Sequence, residues 1–270
     1  MASKLLGLVV CILLAASAAL ADGPKKVLLL AGKPSHSRGA HEHIAGLKLL
    51  QKCLQDVAGL ETSFHLADGK WPEGPGLIRK ADGIALYLDT GSHWEQATAE
   101  RKAALDDLMA RGGGVVALHW AIGGQEAKFI PFHLKLVGGC HGGPDRKYTF
   151  GEADLKLVAP DHSIARATQG LHLKDEFYYQ LKWAKEGKIT PILSATIEDV
   201  PNQTIVWAFE RPDGGRSAGF ACLHELKTFG VTSLRRMVAQ SVLWSVKLPV
   251  PEGGLPVKIA EEDLAAPPRE

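Results

Sequence analysis

Apolar residues fall along the chain in two different rhythms. The first half holds short unbroken apolar runs: Lys26–Ala31 (KVLLLA), Gly83–Leu88 (GIALYL) and Val115–His119 (VVALH). Runs of this length, bounded by glycine or a polar turn, predict strands buried on both faces of a parallel sheet. Between them the period changes. Ile44, Leu47, Leu50, Leu54 and Val57 recur at three- and four-residue steps, predicting an amphipathic helix over His41–Val57. Thr62–Leu66 reads as a short strand, and Thr98–Arg111 as a helix with Thr98 at its N-cap and Gly112 beyond its end. This alternation predicts a parallel sheet with helices on both faces.

The second half is richer in strands. Lys147–Ala159, Glu176–Trp183, Ile189–Thr196, Thr204–Glu210 and Ser217–Leu223 are predicted strands with few helices between them. Ser233–Val246 closes the domain as an amphipathic helix, with Leu234, Met237, Val238, Val242 and Val246 on one side. The segment from Pro249 is rich in proline and acid, and residues 255–270 are expected to be a loosely held tail. Residues 22–254 are expected to form one domain.

The first 21 residues follow neither rhythm. Lys4 precedes an apolar run from Leu5 to Ala16, and Ala19-Leu20-Ala21 is an A-x-A cleavage pattern. Residues 1–21 therefore predict a secretory signal peptide and an exported (periplasmic or extracellular) protein. The run is too short for the roughly 20 apolar residues of a membrane span. No membrane partner is expected once this segment is removed.

Composition narrows the function classes. The chain has 270 residues, 46% hydrophobic and 23% charged, as in a globular protein with a sizeable core. Its 31 basic and 30 acidic residues leave no basic excess to bind nucleic acid. Once Cys11 leaves with the signal segment, Cys53, Cys140 and Cys222 remain. Three widely spaced cysteines are neither a disulfide framework nor a zinc site.

Histidine, with 11 residues, is the over-used type. Ligands of an open parallel sheet bind beyond the carboxyl ends of its strands. Histidines stand there repeatedly: His36, His41 and His43 follow the first strand, His93 follows GIALYLD, His119 ends VVALH, and His224 follows SAGFACL. Imidazole is both an acid–base group near neutral pH and the commonest metal ligand. Taken together, His36, His119 and His224 are directed at one crevice. The segment Lys174–Tyr179 (KDEFYY) adds Asp175 and Glu176. Adjacent strand residues face opposite sides, so one carboxylate is expected to face inward. Gly112-Gly113-Gly114 lies between a helix and a strand, the reverse of a phosphate-cradling loop. Gly138–Gly143, around Cys140 and His141, reads as a flexible loop over the site.

These segments, in this order, resemble the ThuA-like (trehalose-utilisation) family, a branch of the class I glutamine-amidotransferase-like folds. The resemblance runs from Lys25 to Gly254 through AGKPSHSRGAHEH, GGGVVALHWA, DHSIARATQGLHLKDEFYY and WAFERPDGGRSAGFACLH. It implies an α/β, flavodoxin-like three-layer sandwich with a mostly parallel central sheet and extra strands in the second half. It implies carbohydrate metabolism, with (3-keto-)glycosides as small-molecule partners, by a hydrolase, lyase or isomerase reaction. Amidotransferases carry a nucleophilic cysteine after the central strand; here that position is His119, so a Cys-dependent amidotransferase is not expected. The resemblance carries over His119, Glu176 and His224 as catalytic residues and His36 and Tyr178 as substrate-binding residues. Trp120, beside His119, is added to the substrate contacts. His36, His119 and His224 are also the candidate ligands of a divalent metal ion. A non-catalytic sugar-binding module and a subunit of a larger complex remain as alternative readings.

Overall fold

The computed structural model describes residues 23–268; the signal-peptide segment, residues 1–21, lies outside the described residues. The first half alternates as expected: β1 (Lys25–Ala31), α1 (His43–Leu54), β2 (Leu60–Leu66), α2 (Gly74–Lys80), β3 (Gly83–Tyr87), α3 (Gly91–Glu95), α4 (Ala99–Ala110) and β4 (Gly114–Leu118). Then come β5 (Gly123–Gly124), α5 (Ile130–Val137), β6 (Gly139–Gly142), β7 (Lys147–Leu157), β8 (Leu171–Tyr179) and β9 (Lys182–Trp183). The chain closes with β10 (Lys188–Ile197), β11 (Val200–Glu210), β12 (Arg216–Phe220) and α6 (Thr232–Ser245).

Nine strands form one sheet in the order β2-β1-β3-β4-β12-β11-β10-β7-β8. The first five are mutually parallel, and β12 takes the fifth place of a flavodoxin-like 2-1-3-4-5 arrangement. From β12 outward every pairing is antiparallel. These are the extra strands of the second half.

The apolar runs explain the layering. Val27, Leu29 and Ala31 of β1 pack on one face with Leu47 and Leu50 of α1 and Val238 and Val242 of α6. Leu28 and Leu30 pack on the other with Ile78 of α2, Leu105 and Leu108 of α4, and Leu136 of α5. Alternate residues of one strand thus feed two cores, which is why the run shows no polar positions. Thr98 caps α4, its Oγ1 accepting from the Arg101 N–H at 3.1 Å.

Several elements differ from the expectation. Helices α2 (GPGLIRK), α3 (GSHWE) and α5 (IPFHLKLV) are too short, or too interrupted by glycine and proline, to show a helical period. The strand expected at Glu176–Trp183 runs earlier, so DEFYY ends β8 instead of opening it. The Gly138–Gly143 segment is not a flexible loop. Its core is β6, paired with β5 and β9, and a Cβ on Gly123 of β5 would meet the His141 carbonyl oxygen at 1.8 Å. Glycine is needed for that close approach. At the start of the expected tail, Leu255 and Val257 are buried, and Arg235 and Arg236 donate to the Val257 and Leu255 carbonyls, each at 3.0 Å. The three described cysteines are buried free thiols.

Candidate active site

The carboxyl ends of β1, β3, β4 and β12 form one rim. The connection after β1 carries His41, and His119 follows β4 directly. His224 follows β12 within four residues, and β8 reaches over the rim with Glu176. The backbone holds these positions in left-handed turns: φ is 48° at His41, 52° at His119 and 78° at Leu223, before His224. Non-glycine residues there cost about 1 kcal/mol each and cluster at functional sites. The His41 N–H donates to the His224 carbonyl at 2.9 Å, and Ala40 bridges to Glu225, tying the first loop to the last.

Four buried side chains converge. His119 Nε2 lies 3.0 Å from His41 Nε2 and 3.1 Å from His224 Nδ1, and those two nitrogens are 3.1 Å apart. Glu176 Oε2 is 3.2 Å from both His119 Nε2 and His224 Nδ1. Three ring nitrogens in a triangle cannot all be joined by N–H···N bonds, because each is either a donor or an acceptor and at least two must be alike. The same spacing suits ligands of one ion. Atoms held about 2.0–2.1 Å from a metal at octahedral or tetrahedral angles lie roughly 2.8–3.4 Å apart.

The surroundings prepare these groups. Asp89, just after β3, accepts from His41 Nδ1 at 2.7 Å, which leaves the Nε2 lone pair facing the centre. Burial alone would raise the Asp89 carboxyl, but the His41 hydrogen bond, the charge of His43 and the Ser35 hydroxyl bring it down to about 2. Burial pushes His119 down to about 3 despite its contact with Glu176, so its ring is neutral and can ligate. Burial opposes ionisation of Glu176, yet its bonds to His119 and His224 hold it well below the usual carboxylate range. Tyr178, with Oη 3.0 Å from His119 Nε2, is raised well above 10 by burial and then by Glu176, and stays a donor. Its ring lies between those of His119 (4.5 Å) and His141 (3.7 Å). Burial, then Arg146, lowers His141 to about 3.

Asp175 was expected to be the outward partner if Glu176 faced in, and both are buried, at 2% and 6% exposed. The Asp175 carboxylate accepts from the N–H groups of Leu223 (2.7 Å), His224 (3.1 Å) and Glu225 (3.3 Å). One strand thus supplies Glu176 to the centre and, from its other face, Asp175 to hold the turn that presents His224.

The structure brings His119, Glu176 and His224 together and places Trp120 and Tyr178 along a cavity of about 110 Å³ in front of them. His36 is exposed at the rim of that cavity, its Nδ1 3.0 Å from Ser35 Oγ and its ring 3.8 Å from that of His41. Its place among the converging four is taken by His41. A looser trio of His36, His41 and Asp89 adjoins them. A second cavity, about 480 Å³, opens beyond β1 and β3 and is lined by Ser35 and Asp89, both of which contact His41. No cysteine lines either cavity. Burial pushes the Cys140 thiol up to about 12. Around the centre, His41, Asp89, Asp175 and His141 stand beside the predicted site residues without having been among them. Strand-end position pointed to Asp89 and His41, but nothing local separated His41 from His36.

A family profile described as ThuA, trehalose utilisation, matches residues 26–245. No curated protein sequence matches the chain. Among solved structures, a ThuA-like protein of Parabacteroides merdae aligns at a TM-score of 0.64 with 15% identity, over 88% of this chain and 94% of its own. One from Bacteroides uniformis aligns at 0.61 with 17% identity, over 83% of this chain and 93% of its own.

Proposed function

The chain belongs to the ThuA, trehalose-utilisation, family, and from that premise we propose that it is an exported carbohydrate-active protein acting on (3-keto-)glycosides by metal-assisted acid–base chemistry. The observation that carries the reading is the convergence of three histidine nitrogens and one carboxylate within 4.8 Å of one another, all buried. A divalent ion bound there supplies a Lewis acid for a sugar oxygen. His41, His119 and His224 would hold it, with Asp89 fixing the tautomer of His41.

Of the four, Glu176 has the ionised oxygen and borders the cavity, so it is the base. It takes a proton from the carbon beside a sugar carbonyl, and the electron pair left behind moves toward the carbonyl oxygen. Tyr178, which stays protonated, lines the same cavity with its hydroxyl 3.0 Å from His119 Nε2. Trp120 offers an apolar wall, and His36, at the mouth, a polar contact.

The test is metal analysis of the purified protein followed by turnover of a 3-keto-glycoside panel. About one divalent ion per chain is expected, and both ion and turnover are lost in His119→Ala and His224→Ala. Full turnover in both variants sinks the proposal. A metal-free wild type with no turnover favours the sugar-binding module. Export is tested by sequencing the secreted protein, whose first residue should be Asp22.

A further inference from the structure

The cavity in front of Glu176, at about 110 Å³, is far smaller than the roughly 300 Å³ at which enclosed small-molecule sites begin. A ligand that reaches the centre must therefore project from its mouth. What it meets there is set by register. In the arm formed by β7 and β8, Tyr148 is opposite Tyr178 and Phe150 opposite Glu176. Directly opposed residues of an antiparallel pair project from the same face. Two aromatic rings thus stand beside the two site residues of β8, on the site's side.

Both rings are open to solvent, Tyr148 at 56% and Phe150 at 58%. The other large exposed apolar side chains among the described residues, Leu66 and Val158, lie outside this face. The Phe150 ring stands edge-on 4.7 Å from that of His224, and the Tyr148 ring 6.3 Å from that of His141. The rest of this stretch is polar or small: Lys147, Thr149, Gly151, Glu152 and Asp154. An exposed arm of that composition gains little in folding from two aromatics that stay more than half open to solvent.

We propose that Tyr148 and Phe150 are the stacking wall of a second subsite, which receives the ring attached to the reacting sugar: a second pyranose or an aryl aglycone. This rests on the carbohydrate reading of the centre. A pyranose presents apolar C–H faces with hydroxyls at its edge, and an aromatic face takes the former while the latter stay wet. Arg146, partly buried on the same cavity, offers guanidinium donors to those hydroxyls. The site therefore selects a glycoside over the free monosaccharide, because only the glycoside has a ring that reaches the wall.

Calorimetric titration of the metal-loaded protein with glucose, trehalose and 4-nitrophenyl α-glucoside tests this. Wild type should bind the two glycosides roughly tenfold more tightly than glucose. The Tyr148→Ala/Phe150→Ala variant should lose that difference while keeping its metal. The Tyr148→Leu/Phe150→Leu variant, which keeps apolar bulk against His224 but no ring faces, should lose it too. Equal wild-type affinity for all three sugars, or a preference surviving in the leucine variant, overturns the wall and leaves the carbohydrate reading standing. No sugar binding by wild type overturns the carbohydrate reading and the wall with it. A wild-type dimer that the leucine substitutions render monomeric would assign the rings to a self-interface and overturn the subsite.

Discussion

Replacing Asp175 by Asn separates what this carboxylate does for the site from what it costs the fold. The side chain is 2% exposed and accepts from four backbone N–H groups: Glu176 (2.9 Å), Leu223 (2.7 Å), His224 (3.1 Å) and Glu225 (3.3 Å). Those bonds fix the turn that carries His224. Burial nonetheless raises the Asp175 carboxyl from 3.8 to about 6, against the pull of the backbone donors. The folded chain thus holds this proton more tightly than the unfolded chain. Its contribution to stability is complete below about pH 4 and is lost as pH rises through about 6. A shift of about two units at 1.36 kcal/mol each amounts to roughly 3 kcal/mol. Asn does not ionise, so the metal-free Asp175→Asn variant should gain about 3 kcal/mol relative to wild type between pH 4 and pH 8. Its NH₂ also turns a donor toward backbone donors and loosens the His224 turn. Metal affinity should then fall about 10–100-fold, as for other partners of ligating groups. Urea unfolding of both chelated proteins at pH 4, 6 and 8, with a competitive metal titration at pH 7.5, reads both effects. A stability difference that does not vary with pH, or an unchanged metal affinity, would refute the reasoning.

Removing a converging ligand should cost more than removing a neighbour: His41→Ala is expected to weaken metal binding by at least about 100-fold, and His36→Ala by less than about threefold, in the same titration. The buried thiols should be inert in the native state. Burial raises Cys53 to about 11, Cys140 to about 12 and Cys222 well above the ordinary value, so a thiol-reactive dye should label the chain only after denaturation. Deleting residues 255–270 removes two buried apolar side chains, Leu255 and Val257, from the outside of α6. At about 2 kcal/mol apiece the loss is roughly 4 kcal/mol, visible as a lower urea midpoint.

The parallel half was legible because both faces of its strands are covered. Continuous runs such as KVLLLA, GIALYL and VVALH leave no polar face to misread, and the carboxyl end of the last puts His119 on the rim. Beyond β12 the same reading weakens, since what covers each face of β7 and β8 is a long-range matter. Alternation predicts one inward carboxylate at Asp175-Glu176. It cannot foresee that β8 is enclosed at that point on both sides, with the β12 turn against Asp175 and the histidines against Glu176. His41 and His36 pose the sharper case. They share one loop and one residue type, and their fates diverge through the Ala40–Glu225 bridge, a contact spanning most of the chain.

The hidden information has a common form. His36, His41, Thr90, His119 and Leu223 all have φ between 48° and 78°, where propensity would favour glycine or asparagine. All five lie in the turns that close around the centre. A turn read from composition is placed where glycine is, so these positions gave no local sign of bending. At about 1 kcal/mol each their conformations persist only because surrounding contacts over-determine them: the His41–Asp89 bond, the Asp175 clamp on Leu223, and the His119–Tyr178–His141 stack. Five of the twelve such non-glycine positions among the described residues thus fall around the place where four polar side chains are forced into one small volume. That is the expected mark of a site whose geometry is maintained against the preferences of its own backbone.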